Sequence, residues 1–272
     1  TGQGNDIAFG GVGTDYINVD SSDTTIKFAD DGNDILIGDS GWANFATDTD
    51  ANRIATSNED GSDDYIYSTQ GQDILIGSIG NDTLTSGTDN QRDIIIGDQA
   101  TITFSTSSNG RFDTDTLITA VSDISDINDH GNDTITTGAG NDVILGGAAR
   151  DNITAGEGNN IILGDNGDIA INTAGHLTSA NSTDANDRTT DNDTITTGTG
   201  DDTILGGNAT DTITANAGDD IILGDNGQAI FNEAGILTAV TTTDETIGAQ
   251  DIITTGQGND IAFGGVGTDY IN

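Results

Sequence analysis

Aspartate recurs at a step of nine residues in short runs, and that step limits what the chain can fold into more than any other feature of it. In "TGAGNDVIL" (137–145), "GGNATDTIT" (206–214) and "ANAGDDIIL" (215–223) the first positions are glycine-rich, Asp is sixth and an aliphatic residue is eighth, a GGxGxDxUx pattern with substitutions. Sixth-position aspartates are Asp6, Asp15, Asp34, Asp64, Asp73, Asp82, Asp93, Asp133, Asp142, Asp151, Asp193, Asp202, Asp211, Asp220, Asp251, Asp260 and Asp269, with Asn160 in one further slot. Runs of four units end in "GDxG" or a relative, then a longer non-repeating stretch follows, giving a middle period of about 60 residues. Runs begin at Asp64, Asp133, Asp193 and Asp251, after which residues 255–272 repeat residues 1–18 letter for letter at an offset of 254. Such nested periods are the signature of a solenoid or array. Residues 1–272 therefore read as one 254-residue long period plus an 18-residue overlap, cut from a tandem array.

The chain carries 46 acidic against 6 basic side chains, a net charge of -40, and nearly all the acid is Asp. A compact state with that charge repels itself, and low hydrophobicity with high charge opposes folding unless something cationic joins the structure. Nucleic acid is excluded as a partner, since Lys27, Arg53, Arg92, Arg111, Arg150 and Arg188 are scattered and form no basic patch. There is no Cys, Met or Pro, hence no disulfide and no thiolate metal site. No apolar run is long enough to span a membrane, and no leader is seen in this piece.

The nonapeptides resemble those of the RTX (repeats-in-toxin) family, secreted bacterial proteins whose repeats wind into calcium-loaded parallel β-rolls. The resemblance covers well over half the chain. It implies an all-β fold, a right-handed parallel β-roll (β-solenoid) with two nonapeptides per coil and β-hairpin insertions at expanded turns. It also implies type I export, with the chain unfolded in the low-calcium cytoplasm and ordered outside. A phosphate-loop or dinucleotide reading of the glycines fails, because no GK[ST] and no helical pattern follows them.

In such a coil, Gly and Asn at positions one to five permit tight turns whose carbonyls point at a common centre, and the last three residues form a minimal strand. Residues 18 apart then stack at the inter-strand spacing of about 4.8 Å. Stacked carboxylates repel unless a hard cation lies between them, and Asp with backbone carbonyls suits Ca²⁺. Mg²⁺ demands tighter octahedral geometry, and Zn²⁺ lacks ligands because the only histidines, His130 and His176, lie in insertions. The expected bridged pairs are Asp64 with Asp82, Asp73 with Asp93, Asp133 with Asp151, Asp193 with Asp211, Asp202 with Asp220, and Asp251 with Asp269. Asn160 opposite Asp142, Ala149 and Ala209 in place of the fourth-position Gly, and a two-residue insertion before Asp93 mark weaker or missing sites.

With the eighth residue pointing inward, positions seven and nine face outward. Alternate units are then polar outside (Thr134/Thr136, Asn152/Thr154) and apolar outside (Val143/Leu145, Ile161/Leu163). An apolar stripe of that length needs a cover. Hairpin or loop insertions are expected at about 19–28, 42–60, 101–128, 168–190 and 228–248, and the expected covers are the hairpins of the last four, anchored by Trp42, Phe45, Phe104 and Phe231, with a neighbouring copy as the alternative. Asp48, Asp50, Asn52 and Glu59 mimic an EF-hand loop, but Arg53 stands where that loop needs Gly.

No catalytic constellation is visible, so the chain reads as non-enzymatic. The expected role is a calcium-dependent structural module of a long secreted or cell-surface protein, a fibre, stalk or matrix component with copies end to end. An adhesive or ice-binding face, or the folding and secretion module of a toxin or hydrolase, are the alternatives.

Overall fold

The computed structural model describes residues 4–18, 32–44, 52–57, 60–105, 117–122, 131–183 and 191–272, and its regular structure is entirely β. Each nonapeptide contributes one short strand, and successive strands go alternately to two parallel sheets of nine. Sheet one consists of β1 (Ile7–Phe9), β3 (Ile35–Ile37), β7 (Ile74–Ser78), β9 (Ile94–Asp98), β13 (Val143–Leu145), β15 (Ile161–Leu163), β19 (Thr203–Gly207), β21 (Ile221–Asp225) and β25 (Ile261–Phe263), in that order. Sheet two runs through β2 (Tyr16–Ile17), β6 (Tyr65–Tyr67), β8 (Thr83–Thr85), β12 (Thr134–Thr136), β14 (Asn152–Thr154), β18 (Thr194–Thr196), β20 (Thr212–Thr214), β24 (Ile252–Thr254) and β26 (Tyr270–Ile271). The chain is a β-roll. Where no insertion intervenes, register partners are 18 residues apart, as in Ile135 with Ile153 and Ile144 with Ile162.

Eighth-position side chains fill the roll. Leu36, Leu75, Ile95, Ile144, Ile162, Ile204 and Ile222 of sheet one face Ile66, Leu84, Ile135, Ile153, Ile195, Ile213 and Ile253 of sheet two in one buried cluster. The interior is one aliphatic layer thick, because a three-residue strand sends only its middle side chain inward.

The outer face of sheet one is covered. An eight-stranded antiparallel sheet is built from four hairpins: β4 (Gly41–Asn44) with β5 (Asn52–Thr56), β10 (Ala100–Phe104) with β11 (Leu117–Ser122), β16 (Gly167–Ile171) with β17 (Leu177–Ser182), and β22 (Gly227–Phe231) with β23 (Leu237–Thr242). Each leaves the roll after a sheet-one strand at every second coil. Ile37, Ile76, Ile96, Val143, Leu145 and Leu163 pack against Ile54, Ile102, Phe104, Ala120, Ile169 and Ala180 in a second buried cluster. The tip turns of the last two hairpins are fixed locally. Asn172 Oδ1 accepts the Ala174 and His176 N–H groups, Asn232 Oδ1 accepts those of Ala234 and Ile236, and Gly175 and Gly235 supply the left-handed residue at φ 81° and 72°.

Two anchors behave differently from expectation. Phe104 is fully buried, but Trp42 is 43 % exposed. In β4 the inward places belong to Gly41 and Ala43, with Ala43 opposite the buried Ile54, so the alternation of the strand sends Trp42 outward, where the Arg53 guanidinium lies 5.8 Å from its ring centre. Phe231 is half-buried, and Phe45, His130 and the insertion at 19–28 lie outside the described residues. So do Asp48, Asp50 and Glu59, while Asn52 and Arg53 belong to strand β5, which leaves the EF-hand reading no loop at that point. Truncating Phe104, the one fully buried aromatic among the described residues, by Phe104→Ala is expected to cost about 3–5 kcal/mol in the calcium-loaded protein, measured by denaturant unfolding.

Candidate metal centre

Sixth-position residues form two vertical columns, one along each edge of the roll. At the edge from which the hairpins leave, each aspartate N–H donates to Oδ1 of the aspartate one rung on: Asp15 to Asp64, then Asp82, Asp133, Asp151, Asp193, Asp211, Asp251 and Asp269, at 2.7 to 3.1 Å. The opposite edge does the same from Asp6 through Asp34, Asp73, Asp93, Asp142, Asn160, Asp202, Asp220 and Asp260, also at 2.7 to 3.1 Å. We call these the hairpin column and the plain column. All six pairs read from the 18-residue spacing are vertical neighbours. Fifth-position side chains make a second, outer ladder in the opposite sense, with Asn132 N–H donating to Asn81 Oδ1 and Asp201 N–H to Asn159 Oδ1.

One oxygen per aspartate is used in the ladder. The other is stranded: Oδ2 of Asp64, Asp82, Asp133, Asp151, Asp193, Asp211 and Asp251 is buried and makes no hydrogen bond. A buried carboxylate oxygen without a partner is costly. Each is crowded against the first-position glycine of its own turn and the carbonyl of the glycine one rung on. A Cβ built on Gly97 would collide with Asp133 Oδ2 and the Gly146 carbonyl oxygen, and one on Gly146 with Asp151 Oδ2 and the Gly164 carbonyl oxygen. The nearest atoms to that space are carboxylate and carbonyl oxygens. Among the described residues no three His, Asp or Glu side chains converge, so a cation here takes at most two carboxylates and completes its shell with carbonyls. That donor set suits Ca²⁺.

The electrostatics agree. Burial pushes the carboxyls of Asp133, Asp151, Asp193 and Asp211 well above the ordinary range, and neighbouring aspartates push them further. Burial likewise raises Asp82 to about 9, Asp93 and Asp251 to about 8, and Asp64 and Asp202 to about 7. Without a cation the columns resist ionisation.

A family model for the RTX calcium-binding nonapeptide repeat (4 copies) matches residues 1–26, 28–42, 60–90, 130–162, 188–222 and 248–272, more than half of the chain. The chain belongs to this RTX family. Its repeats are calcium-binding, structural and generally non-catalytic, and they typically occur in proteins exported by type I secretion. No curated protein and no solved structure matches the chain. No described helix is long and apolar enough to cross a membrane.

Some residues of the site escape a reading based on the nonapeptide alone. The aspartates of the "GDxG" exits, Asp39, Asp98, Asp165 and Asp225, are buried beside the hairpin column. Each accepts the third-position N–H of the next rung: that of Ile79 for Asp39, Ala148 for Asp98, Asn208 for Asp165 and Val266 for Asp225. Asp191, also buried, occupies the fourth-position slot normally held by Gly. The recurrent "GD" was the available signal, and it reads from sequence as a turn marker.

At Asn160 the plain column replaces a carboxylate with an amide. Its Nδ2 donates to the Gly156 and Gly158 carbonyls at 3.2 and 3.1 Å, so an amide supplies the donor that these oxygens would otherwise seek in a cation. Ala149 and Ala209 keep the left-handed turn at φ 85° and 67° despite their side chains. Asn160→Asp removes the two donors and adds a charge. It is expected to raise the number of bound calcium ions by one, counted by isothermal titration or native mass spectrometry, and to lower stability by about 1–3 kcal/mol in chelator.

Proposed function

We propose that the chain is one period of a calcium-stiffened rod, repeated end to end in a long secreted or cell-surface protein, with the columns Asp6 to Asp260 and Asp15 to Asp269 as its ion ladders. The observation that carries this reading is the sameness of its two ends. Strands β1 and β25 hold the same residues, Ile-Ala-Phe, at opposite edges of sheet one, while β2 and β26 hold Tyr-Ile at opposite edges of sheet two. Phe9 and Phe263 are exposed to nearly the same extent, 40 % and 41 %, each paired on one side, with Ile37 and Leu223, and with no described strand on the other. A next period would continue β25 as β3 continues β1.

The hairpin sheet supports the same continuation. Thr56 Oγ1 accepts the Ala100 N–H, Ser122 Oγ the Gly167 N–H and Ser182 Oγ the Gly227 N–H, each tying one hairpin to the next. Thr242 holds the corresponding place on the last strand, and the Gly41 N–H of a following period is its natural donor. Register extrapolated from Asn181 opposite Gln228 would set Thr241 against Trp42 of that period.

Eight steps at the strand spacing give a rise of about 38 Å per period. A chain extended by one 254-residue period should therefore scatter X-rays in calcium as a rod longer by about that amount with unchanged cross-section. Two bodies on a flexible joint would defeat the rod. The exposed threonines of sheet two also favour a second reading, a flat recognition face. The stacked pair Tyr16–Tyr65, with ring centres 5.1 Å apart, and Ile252 interrupt that array, which favours spacing over recognition.

A further inference from the structure

The two columns are chemically unlike although the nonapeptide is nominally one motif. In the hairpin column the first position is glycine at every rung from Gly10 to Gly264. In the plain column the same place holds Ser68, Ser86, Thr137, Ala155, Thr197 and Ala215. We propose that the columns are two classes of calcium site, the hairpin column filling first and releasing last, the plain column filling second and releasing first. This rests on the calcium reading above and divides the sites within it.

Ligand charge and rigidity set calcium affinity. Buried Oδ2 atoms without a hydrogen bond occur in both columns, Asp142, Asp202 and Asp220 among them in the plain one, but only in the hairpin column do they lie against a glycine and the carbonyl of the glycine one rung on. In the plain column a neutral group stands at that point. Ser86, Thr137 and Thr197 place a β-carbon and a buried hydroxyl where the hairpin column has only glycine. Ala155 and Ala215 offer no oxygen from their side chains, and Asn160 breaks the series of charges altogether.

The hairpin column also has a buried exit aspartate beside it at alternate coils, Asp39, Asp98, Asp165 and Asp225. Asp39 is 1 % exposed, and while its Oδ2 accepts the Ile79 N–H at 2.9 Å, its Oδ1 is buried without any partner. Its charge bears on Asp64 and Asp82, and that of Asp98 on Asp133 and Asp151. Hairpin insertion and extra negative charge thus arrive together at alternate coils. An ion at this edge fixes both the roll and the exit of the hairpin that covers it.

The test is calcium release. The loaded chain, mixed rapidly with excess fluorescent calcium chelator, should give up its ions in two phases at least about tenfold apart in rate. Asp202→Asn should reduce the fast amplitude only and Asp151→Asn the slow amplitude only, with circular dichroism in saturating calcium showing each variant folded. Asp39→Asn retains an oxygen to accept the Ile79 N–H while removing the charge, and it should quicken the slow phase with total bound calcium unchanged. A single phase, or loss from the same phase in the Asp202 and Asp151 variants, overturns the division while leaving calcium binding intact. A chain that carries no calcium at all removes the underlying reading as well.

Discussion

Chelation at pH 8 should abolish the far-UV β signal of this chain, and calcium at about millimolar concentration should restore it. The expectation follows from the cost of ionising the columns empty. Asp93 and Asp251 are buried, and burial raises both carboxyls to about 8. At about 1.4 kcal/mol per pKa unit, ionising those two alone costs on the order of 10 kcal/mol. That is comparable with the whole stability of a folded domain, about 5–15 kcal/mol. The sign for pH follows from the direction of the shift. These groups have folded values above the unfolded value of about 3.9, so the ion-free folded state takes up protons. Its stability is fully present below pH of about 3.9 and is lost as the pH rises through the folded values of about 7 to 9 carried by Asp64, Asp202, Asp93, Asp251 and Asp82. In chelator, therefore, acidification from pH 8 to about pH 4 should bring back β structure, and apparent calcium affinity should rise with pH as protons cease to compete. A β spectrum at pH 8 that ignores thorough chelation would remove the metal-dependent fold.

The roll was legible because its period is short and its chemistry repeats. Asp133 and Asp151, 18 residues apart, meet in the column because nothing intervenes between their coils, whereas Asp82 meets Asp133 across 51 residues only because the hairpin returns the chain to the turn it left. The apolar stripe of Val143, Leu145, Ile161 and Leu163 announced a cover, and the cover's alternating sequence announced hairpins. What stayed hidden depended on phase and local hydrogen bonding. Trp42 is an expected anchor, yet in a strand the period of two decides the face, and the neighbouring Gly41 and Ala43 hold the inward places. Asp39 and Asp225 read as exit-turn residues, since only the winding of the roll brings the N–H groups of Ile79 and Val266 to them from the next rung. The difference between the two edges was present in the letters as Gly97 and Gly146 against Ser86 and Thr137. It acquires meaning only when each first position is seen beside a carboxylate.

Gly97→Ala should damage both packing and calcium binding at the hairpin edge. Its Cβ would collide with Asp133 Oδ2 and the Gly146 carbonyl oxygen, two groups that the ladder and the strand pairing of β9 with β13 hold in place. Neither can retreat cheaply. Asp133 is anchored through Oδ1 to the Asp82 N–H and donates its own N–H to Asp151, and the Gly146 N–H donates to the Leu163 carbonyl. Overpacking of this kind costs about 1–3 kcal/mol in a well-packed interior. Here the methyl also occupies the oxygen-lined space, so the variant should bind one calcium fewer and need more calcium to fold. Thr154→Ala on the exposed face of sheet two is the control, with an expected change within about 0.5 kcal/mol. Equilibrium unfolding and calcium stoichiometry measured together separate the two consequences. If Gly97→Ala kept its full complement of calcium and lost only stability, the space between Asp133 and Gly146 would be packing room and not an ion's place.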